Sequence, residues 1–587
     1  MDFPRVLRFV APVVCVLTAL LSCTAVFAAE GGLDDTCTRG APGSVVPEPA
    51  DLRSKDGELK IELAFRSSVD LQGQTRYCYV DRTGHQSPTL RVKPGDRVTL
   101  TLRNELVASS ETHSMAAHAG SAGKECSGGA MTPASTNLHF HGLVIPPVCH
   151  QDDVLKTLVQ PSSPPFEYSF QIPQDQPPGL YWYHPHVHGF TKNQILGGAS
   201  GALIVEGIET VNSEVSGLPE RVLVIRDQEL MNPDAAPVQT DSMPAPQVLK
   251  DPEGDILNNG TGGGKPAKDL SINYVPVPYP EYQPAVIKMK PQTKELWRVL
   301  NASAITYLDL QVMFKDWQQM VGVVALDGIP VNENGNHDQI VLKRHVLIPP
   351  GGRAEFIVKA PKEGIPASLV TRTIDTGPAG ENDPTRPLAS IVASADAPDL
   401  RSHLPASPAT MAAVHGTPLK EVAPVRERKL YFSEVPQDPK NPNSPTVFYL
   451  TVDGKTPAPF NPNSPEPDIV VRQGDVEDWI IENRSQELHD FHIHQLHFQL
   501  LEWNGVPVNE PYLRDTINVA YWSGHSTVYP SVKLRMDFRD PNVVGTFVYH
   551  CHLLEHEDGG MMGTIRVEPR DTNVKKDEKS TGLGASR

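Results

Sequence analysis

The chain has 587 residues, too many for one core, and the length suits about three to four domains. A hydrophobic fraction of 39% fits a globular protein, and 56 prolines with 44 glycines favour a loop-rich, strand-rich fold over helical bundles. The net charge of −18, with no basic stripe, argues against a nucleic-acid partner.

The N-terminus comes first in chain order. Arg5 and Arg8 precede a short apolar run, and Val26 and Ala28 fit a small-residue cleavage site before Ala29. Residues 1–28 therefore read as a signal peptide, and the protein as exported, either secreted or periplasmic. A transmembrane anchor competes with that reading, but the run is short and nothing comparable follows, so no stable membrane insertion is expected. "LLSC", ending at Cys23, also resembles a lipoprotein processing site. Cys15 and Cys23 would leave with the peptide. Cys37, Cys78, Cys126 and Cys149 form an even set that an oxidising compartment can pair as two disulfides, in any of three connectivities. Cys551 is left over and needs another explanation.

Short alternating or β-branched runs follow, among them "DRVTLTLRN", "SGALIVEG", "RVLVIRD", "RAEFIVKA" and "GTIRVEP", with turn residues between them. The reading is all-β sandwiches. A repeat sharpens it: "PGDRVTLTLRNE", "PQTKELWRVLNAS" and "RQGDVEDWIIENRS" share a turn, an alternating strand and a terminal asparagine, Asn104, Asn301 and Asn483. "LDGIPVNE" and "WNGVPVNE" then recur in the second and third copies. Three consecutive sandwich domains are expected at 45–206, 215–400 and 427–570. Residues 107–135 read as a long loop, 233–270 and 371–426 as insertions or linkers, and 571–587 as a disordered tail.

Histidine pairs punctuate the first and third copies. "NLHFHG" holds His139 and His141, "WYHPHVHG" His184 and His186, "HDFHIH" His492 and His494, and "YHCHLL" His550 and His552. Spacing of two on a strand aims both rings to one face. One such pair is commonly a surface coincidence; four pairs, absent from a middle copy with only the scattered His337, His345, His403 and His415, are not. His188 and His497 are set aside, the first at a strand end, the second as an outer partner. "HCHLLEHEDGGMM" adds Cys551, His556 and Met561, and His489 completes two imidazoles, one thiolate and one thioether, the donor set of an electron-transfer copper site. With Cys551 facing one side of its strand, His550 and His552 face the other, so one backbone joins two metal sites.

With all four motifs in place, the sequence resembles the three-domain multicopper oxidases, the family of laccases, spore-coat laccases, bilirubin oxidases and cuprous oxidases. The resemblance implies three cupredoxin-like Greek-key domains and four copper ions. His489, Cys551, His556 and Met561 match the ligands of one type 1 ion. His139 and His492 match those of one type 2 ion, and His141, His184, His186, His494, His550 and His552 those of the type 3 pair. Met561, not Met562, fits the family spacing. The implied activity couples four one-electron oxidations to reduction of dioxygen to water. Protons are consumed, and Asp152, Asp153 and Glu557 are the candidate acids, with Asp152 favoured.

The expected donor is a small aromatic, a phenol or aryl amine, because no methionine-rich segment lies between 340 and 490. A metal-ion oxidase acting on Cu(I) or Fe(II) is the alternative, and it would need an acidic trio beside the type 1 site. A structural or assembly factor of the same fold is disfavoured by the complete ligand set, and a two-domain copper nitrite reductase by the three repeats.

Overall fold

The computed structural model describes residues 35–106, 126–161, 163–237, 248–252, 254–334, 339–403, 417–441 and 444–570. The expected signal peptide, residues 107–125 of the expected loop and the expected tail lie outside the described residues. Within them the chain is nearly all β, in six sheets. Thr75–Asp81, Glu58–Val69, Arg97–Asn104 and Phe166–Gln171 form one sheet of the first sandwich. Its other sheet is Asp51–Arg53, Thr89–Val92, Gly201–Val205, Gly179–His184 and His139–His141. Eight- and six-stranded sheets between Glu220 and Ala393 form the second sandwich, and seven- and five-stranded sheets between Arg426 and Glu568 the third. The fold is three consecutive cupredoxin-like β-sandwiches.

Burial explains the two kinds of strand. Arg97–Asn104 buries every second residue, as a strand with one wet face does. Glu220–Gln228 is buried throughout because it lies within the eight-stranded sheet with both faces covered. In each sandwich the strand of the sequence repeat runs parallel to an earlier one, with Asn104 opposite Phe65, Asn301 opposite Ile225 and Asn483 opposite Phe432.

The three asparagines recur because each does the same work. The Asn104 amide donates to the carbonyls of Ala134 (2.7 Å) and Val159 (2.8 Å), and its Oδ1 accepts from the Leu106 amide. Asn301 bonds Thr306, Ile348 and Ser303 in the same pattern, and Asn483 bonds Glu487, Val519 and Ser485. Each one satisfies buried main-chain groups where its strand ends. The second repeated segment makes a hairpin through Asp327–Gly328 and Asn504–Gly505, all four with positive φ, as a two-residue type I′ turn requires.

One expectation is corrected. Residues 371–426 are not wholly linker, because Arg386–Ala393 is a strand that pairs with Ala285–Met289 and Ala367–Thr371. Its alternating "LASIVA" was masked by the Pro- and Asp-rich residues around it. Cys37 pairs with Cys78 and Cys126 with Cys149, and Cys551 is free and buried. Among the described residues no helix is long and apolar enough to cross a membrane.

One hydrophobic core runs from Leu180 and Trp182 of the first sandwich to Phe491 and Tyr549 of the third. Charge ties the second sandwich to the first. Arg298, fully buried, pairs with Glu220 and Glu355, while Glu355 accepts from the Leu180 amide at 2.7 Å. Arg298→Leu would strand the buried Glu355 carboxylate, while Glu220 keeps Arg91 (2.5 Å) and His403 (3.0 Å). Chemical denaturation should show a loss of about 3–5 kcal/mol, and a loss below about 1 kcal/mol would mean the pair does not hold the junction.

Candidate metal centre

The eight paired histidines lie together, every one of them buried. Strand His139–His141 pairs with Gly179–His184, placing His139 opposite His184. In the third sandwich His489–Ile493 pairs with Gly545–Cys551, placing His492 opposite His550. The expectation that each pair rides on a strand holds only for His139 and His141. His186, His494 and His552 each fall just past a strand end, after Pro185, Ile493 and Cys551. Main-chain bonds hold them there instead: His186 N donates to Asn137 Oδ1 (2.7 Å) and His552 N to the Asp490 carbonyl (2.7 Å).

Rings from the two sandwiches interleave. His139 stacks on His494 at 3.8 Å between centroids and His141 on His492 at 3.9 Å. Nitrogens of His139, His492 and His494, of His139, His141 and His184, and of His186, His494 and His550 each lie within 4.8 Å of one another. Outer partners set which nitrogen is free. Nδ1 of His139 bonds Asp152 (2.9 Å), that of His184 the Pro185 carbonyl (2.9 Å), that of His492 the Asp515 carbonyl (2.8 Å) and that of His550 the Cys551 carbonyl (2.9 Å).

What remains fits a metal. His139 Nε2, His141 Nδ1, His184 Nε2, His492 Nε2, His494 Nδ1 and both nitrogens of His552 are buried without a hydrogen-bond partner. Burial, with neighbouring imidazoles adding to it, pushes His141, His184, His186, His492, His494 and His552 well below the usual histidine range. Neutral imidazoles with lone pairs turned inward are the ligands that copper takes. Left empty, those lone pairs would each carry a desolvation penalty.

The second sandwich shapes this centre without supplying a histidine. Gly351 has φ +78°, and a Cβ there would lie 2.6 Å from His552 Nε2. Arg353 makes a two-pronged bond to Asp515, 2.7 Å on each prong. Asp515 in turn lies 3.3 Å from His141 Nε2 and 3.5 Å from His497 Nε2. His497 Nε2 also lies 3.2 Å from the Asp327 carbonyl. His188 packs edge-on against Phe460 at 5.0 Å.

On the other face of the Cys551 strand, Cys551 Sγ lies 3.5 Å from His489 Nδ1 and 3.7 Å from His556 Nδ1. Met561 is fully buried, with its amide donating to the His556 carbonyl and its carbonyl accepting from the Cys551 amide. Met562 turns to Val154 and Val548 instead. Burial pushes the Cys551 thiol well up, so metal binding there must release its proton. The outer nitrogens of this pair meet acids: His489 Nε2 is 2.8 Å from Ser485 Oγ and from Glu434 Oε1, and His556 Nε2 is 3.3 Å from Glu487 Oε1. His556 opens onto a cavity of about 470 Å³ lined also by Asp251, Glu381, Glu434, Glu487 and Glu555.

The three candidate acids separate. Asp152 is clamped by His139, the Phe140 amide and Gln495. Asp153 caps a turn at the Lys156 amide, away from the histidines. Glu557 is buried 3.6 Å from both His186 Nδ1 and His550 Nδ1; Oε1 accepts from Thr191 and Oε2 has no hydrogen bond. Burial, reinforced by Asp558, pushes its carboxyl well up.

Gly351→Val would drive a side chain into the His552 ring. The purified variant should keep its β-sheet circular dichroism, bind fewer copper ions per chain and lose about 10²-fold in oxidase activity. Full copper loading would show that the ring does not need this gap.

Comparison with known proteins agrees with the geometry. Two multicopper oxidase domain models match, at residues 129–210 and 439–571, the segments that carry the histidine pairs. A multicopper oxidase of Staphylococcus aureus is 22% identical over 82% of this chain and 81% of its own length. A laccase of Haloferax volcanii is 25% identical over 78% and 72%. A metallo-oxidase of Campylobacter jejuni superposes with a TM-score of 0.61 at 22% identity, over 91% of this chain and 96% of that one, and so shares the fold. Matched segments, fold and buried donor sets agree: residues 129–210 and 439–571 are multicopper oxidase domains.

Proposed function

We propose that the protein is an exported, copper-dependent oxidase that takes single electrons from a metal cation such as Fe(II) or Cu(I). The observation that carries the donor class is the acidic cavity onto which His556 opens. Glu381 and Glu487 are pushed well above the usual carboxylate range by burial and then by the neighbouring carboxylates. A cation entering there would relieve both penalties, whereas a phenol or aryl amine would relieve neither. Two of these acids, Glu434 and Glu487, lie beside the outer nitrogens of His489 and His556. A cation held by either is therefore one imidazole away from the Cys551 sulfur.

His489, Cys551, His556 and Met561 would hold one copper ion, His139 and His492 a second, and His141, His184, His186, His494, His550 and His552 two more. When bound, copper supplies one-electron redox chemistry and four-electron reduction of dioxygen to water. The remaining work falls to the chain. Asp152 fixes the His139 tautomer by accepting its Nδ1 proton, which makes Asp152 an orienting group. The proton-holding role favoured for Asp152 passes to Glu557, whose unbonded Oε2 faces the His550 edge. The stacked imidazoles, Trp182 and the shared core of the first and third sandwiches exclude bulk water. Export is supported by the two disulfides, which an oxidising compartment maintains.

Oxygen uptake by the copper-loaded protein with Fe(II), Cu(I) and a methoxyphenol tests the donor class. Glu487→Gln and Glu381→Gln should each raise KM for the cations about tenfold and leave phenol oxidation unchanged or faster. Phenol turnover exceeding cation turnover, with no effect of either substitution on the cations, would return the reading to an aromatic donor. Cys551→Ser should abolish the thiolate–copper absorption and all uptake while the circular dichroism persists; a blue, active variant would refute the ligand assignment.

A further inference from the structure

A second cleft, of about 550 Å³, lies between the N-terminal segment 38–50 and the second sandwich and contains none of the residues of the metal centre. Its floor is the hairpin turn Asn273–Tyr274, where both residues have positive φ. Tyr274 is fixed from two sides: its hydroxyl lies 2.8 Å from Ser87 Oγ and from the Gly198 carbonyl, and its own carbonyl accepts from the Gly40 amide at 2.8 Å. Two guanidinium groups lie over its ring, Arg226 at 4.1 Å and Arg39 at 4.6 Å from the centroid.

Neither guanidinium has a carboxylate partner among the described residues. Arg226 donates to Ser200 Oγ (2.8 Å) and the Ser200 carbonyl (2.7 Å), and Arg39 to the carbonyls of Gly197 (2.6 Å) and Thr38 (3.3 Å). Every other buried arginine discussed above, Arg298 and Arg353, has its acid. A guanidinium withdrawn from water needs an anion, and two sharing one ring also repel each other. Two further donors, Arg39 Nε and Gln86 Nε2, are buried in the same cleft with nothing to bond. The one carboxylate in its lining, Glu48, is taken by Arg221 at 2.7 Å. Burial, more than any neighbour, pulls Arg39 down to about 9 and pushes Glu48 up to about 7, the sense in which a counter-anion is missing.

We infer that this cleft binds a small oxyanion, a phosphate or a carboxylate, gripped between Arg39 and Arg226 with Gln86 as an added donor. Guanidinium forks match the oxygen spacing of both groups. The site is independent of the donor chosen at the copper centre.

Calorimetric titration of the copper-loaded protein at constant ionic strength, with inorganic phosphate and with succinate in separate runs, tests it. Saturable binding of either at one per chain is expected, and the stronger of the two names the ligand class. Arg39→Gln, at a half-buried position that tolerates the change, should weaken that binding at least tenfold and leave oxygen uptake unchanged. Arg226→Gln should do the same if it folds, but Arg39→Gln alone decides. Absence of saturable binding for both anions, or binding that survives Arg39→Gln, would overturn the inference.

Discussion

Eight imidazoles buried at the junction of two sandwiches, with most of their inward nitrogens lacking any hydrogen-bond partner, are the constraint from which the rest of the molecule follows. Such a cluster is unfavourable as a polar core and acceptable as a set of ligands. It forces the first and third sandwiches to share a hydrophobic core, because each contributes half the rings. It also requires outer partners that fix each tautomer, which is why carbonyls and carboxylates bond so many of the opposite ring nitrogens. The Arg353–Asp515 pair extends that support into the second sandwich.

The three sandwiches divide the work. The first and third supply donors, and the second supplies a gap at Gly351, a guanidinium at Arg353 and part of the acidic wall at Glu381. The sandwich that contributes none of the eight paired histidines therefore still shapes the centre and part of the acidic cavity beside it. The wall draws on segments far apart in sequence, Asp251, Glu381, Glu434, Glu487 and Glu555.

Much of this was legible in the sequence, for a physical reason in each case. Alternation betrays strands with one wet face, and the recurring asparagines mark positions where the same main-chain groups must be satisfied in each sandwich. The histidine pairs stand out because imidazoles at spacing two are rare and came four times. Gly351, Arg353 and Asp515 were not legible, since each is a single common residue whose meaning comes from a partner in another sandwich. The acids beside His556 are likewise illegible in sequence, because they come from distant segments and meet only after folding. A spacing of two does not reveal that a pair leaves its strand, as happens at Pro185 and just after Ile493, where Gln495 takes a φ of 58°. Strand Arg386–Ala393 is hidden by Pro- and Asp-rich neighbours that resemble a linker.

The interleaving of His139 with His494 and of His141 with His492 also fixes an order of assembly. The earliest pair of rings is synthesised long before the latest, and the first sandwich by itself offers only half of the eight rings. The interleaved cluster as a whole therefore forms only once the C-terminal sandwich has emerged and docked.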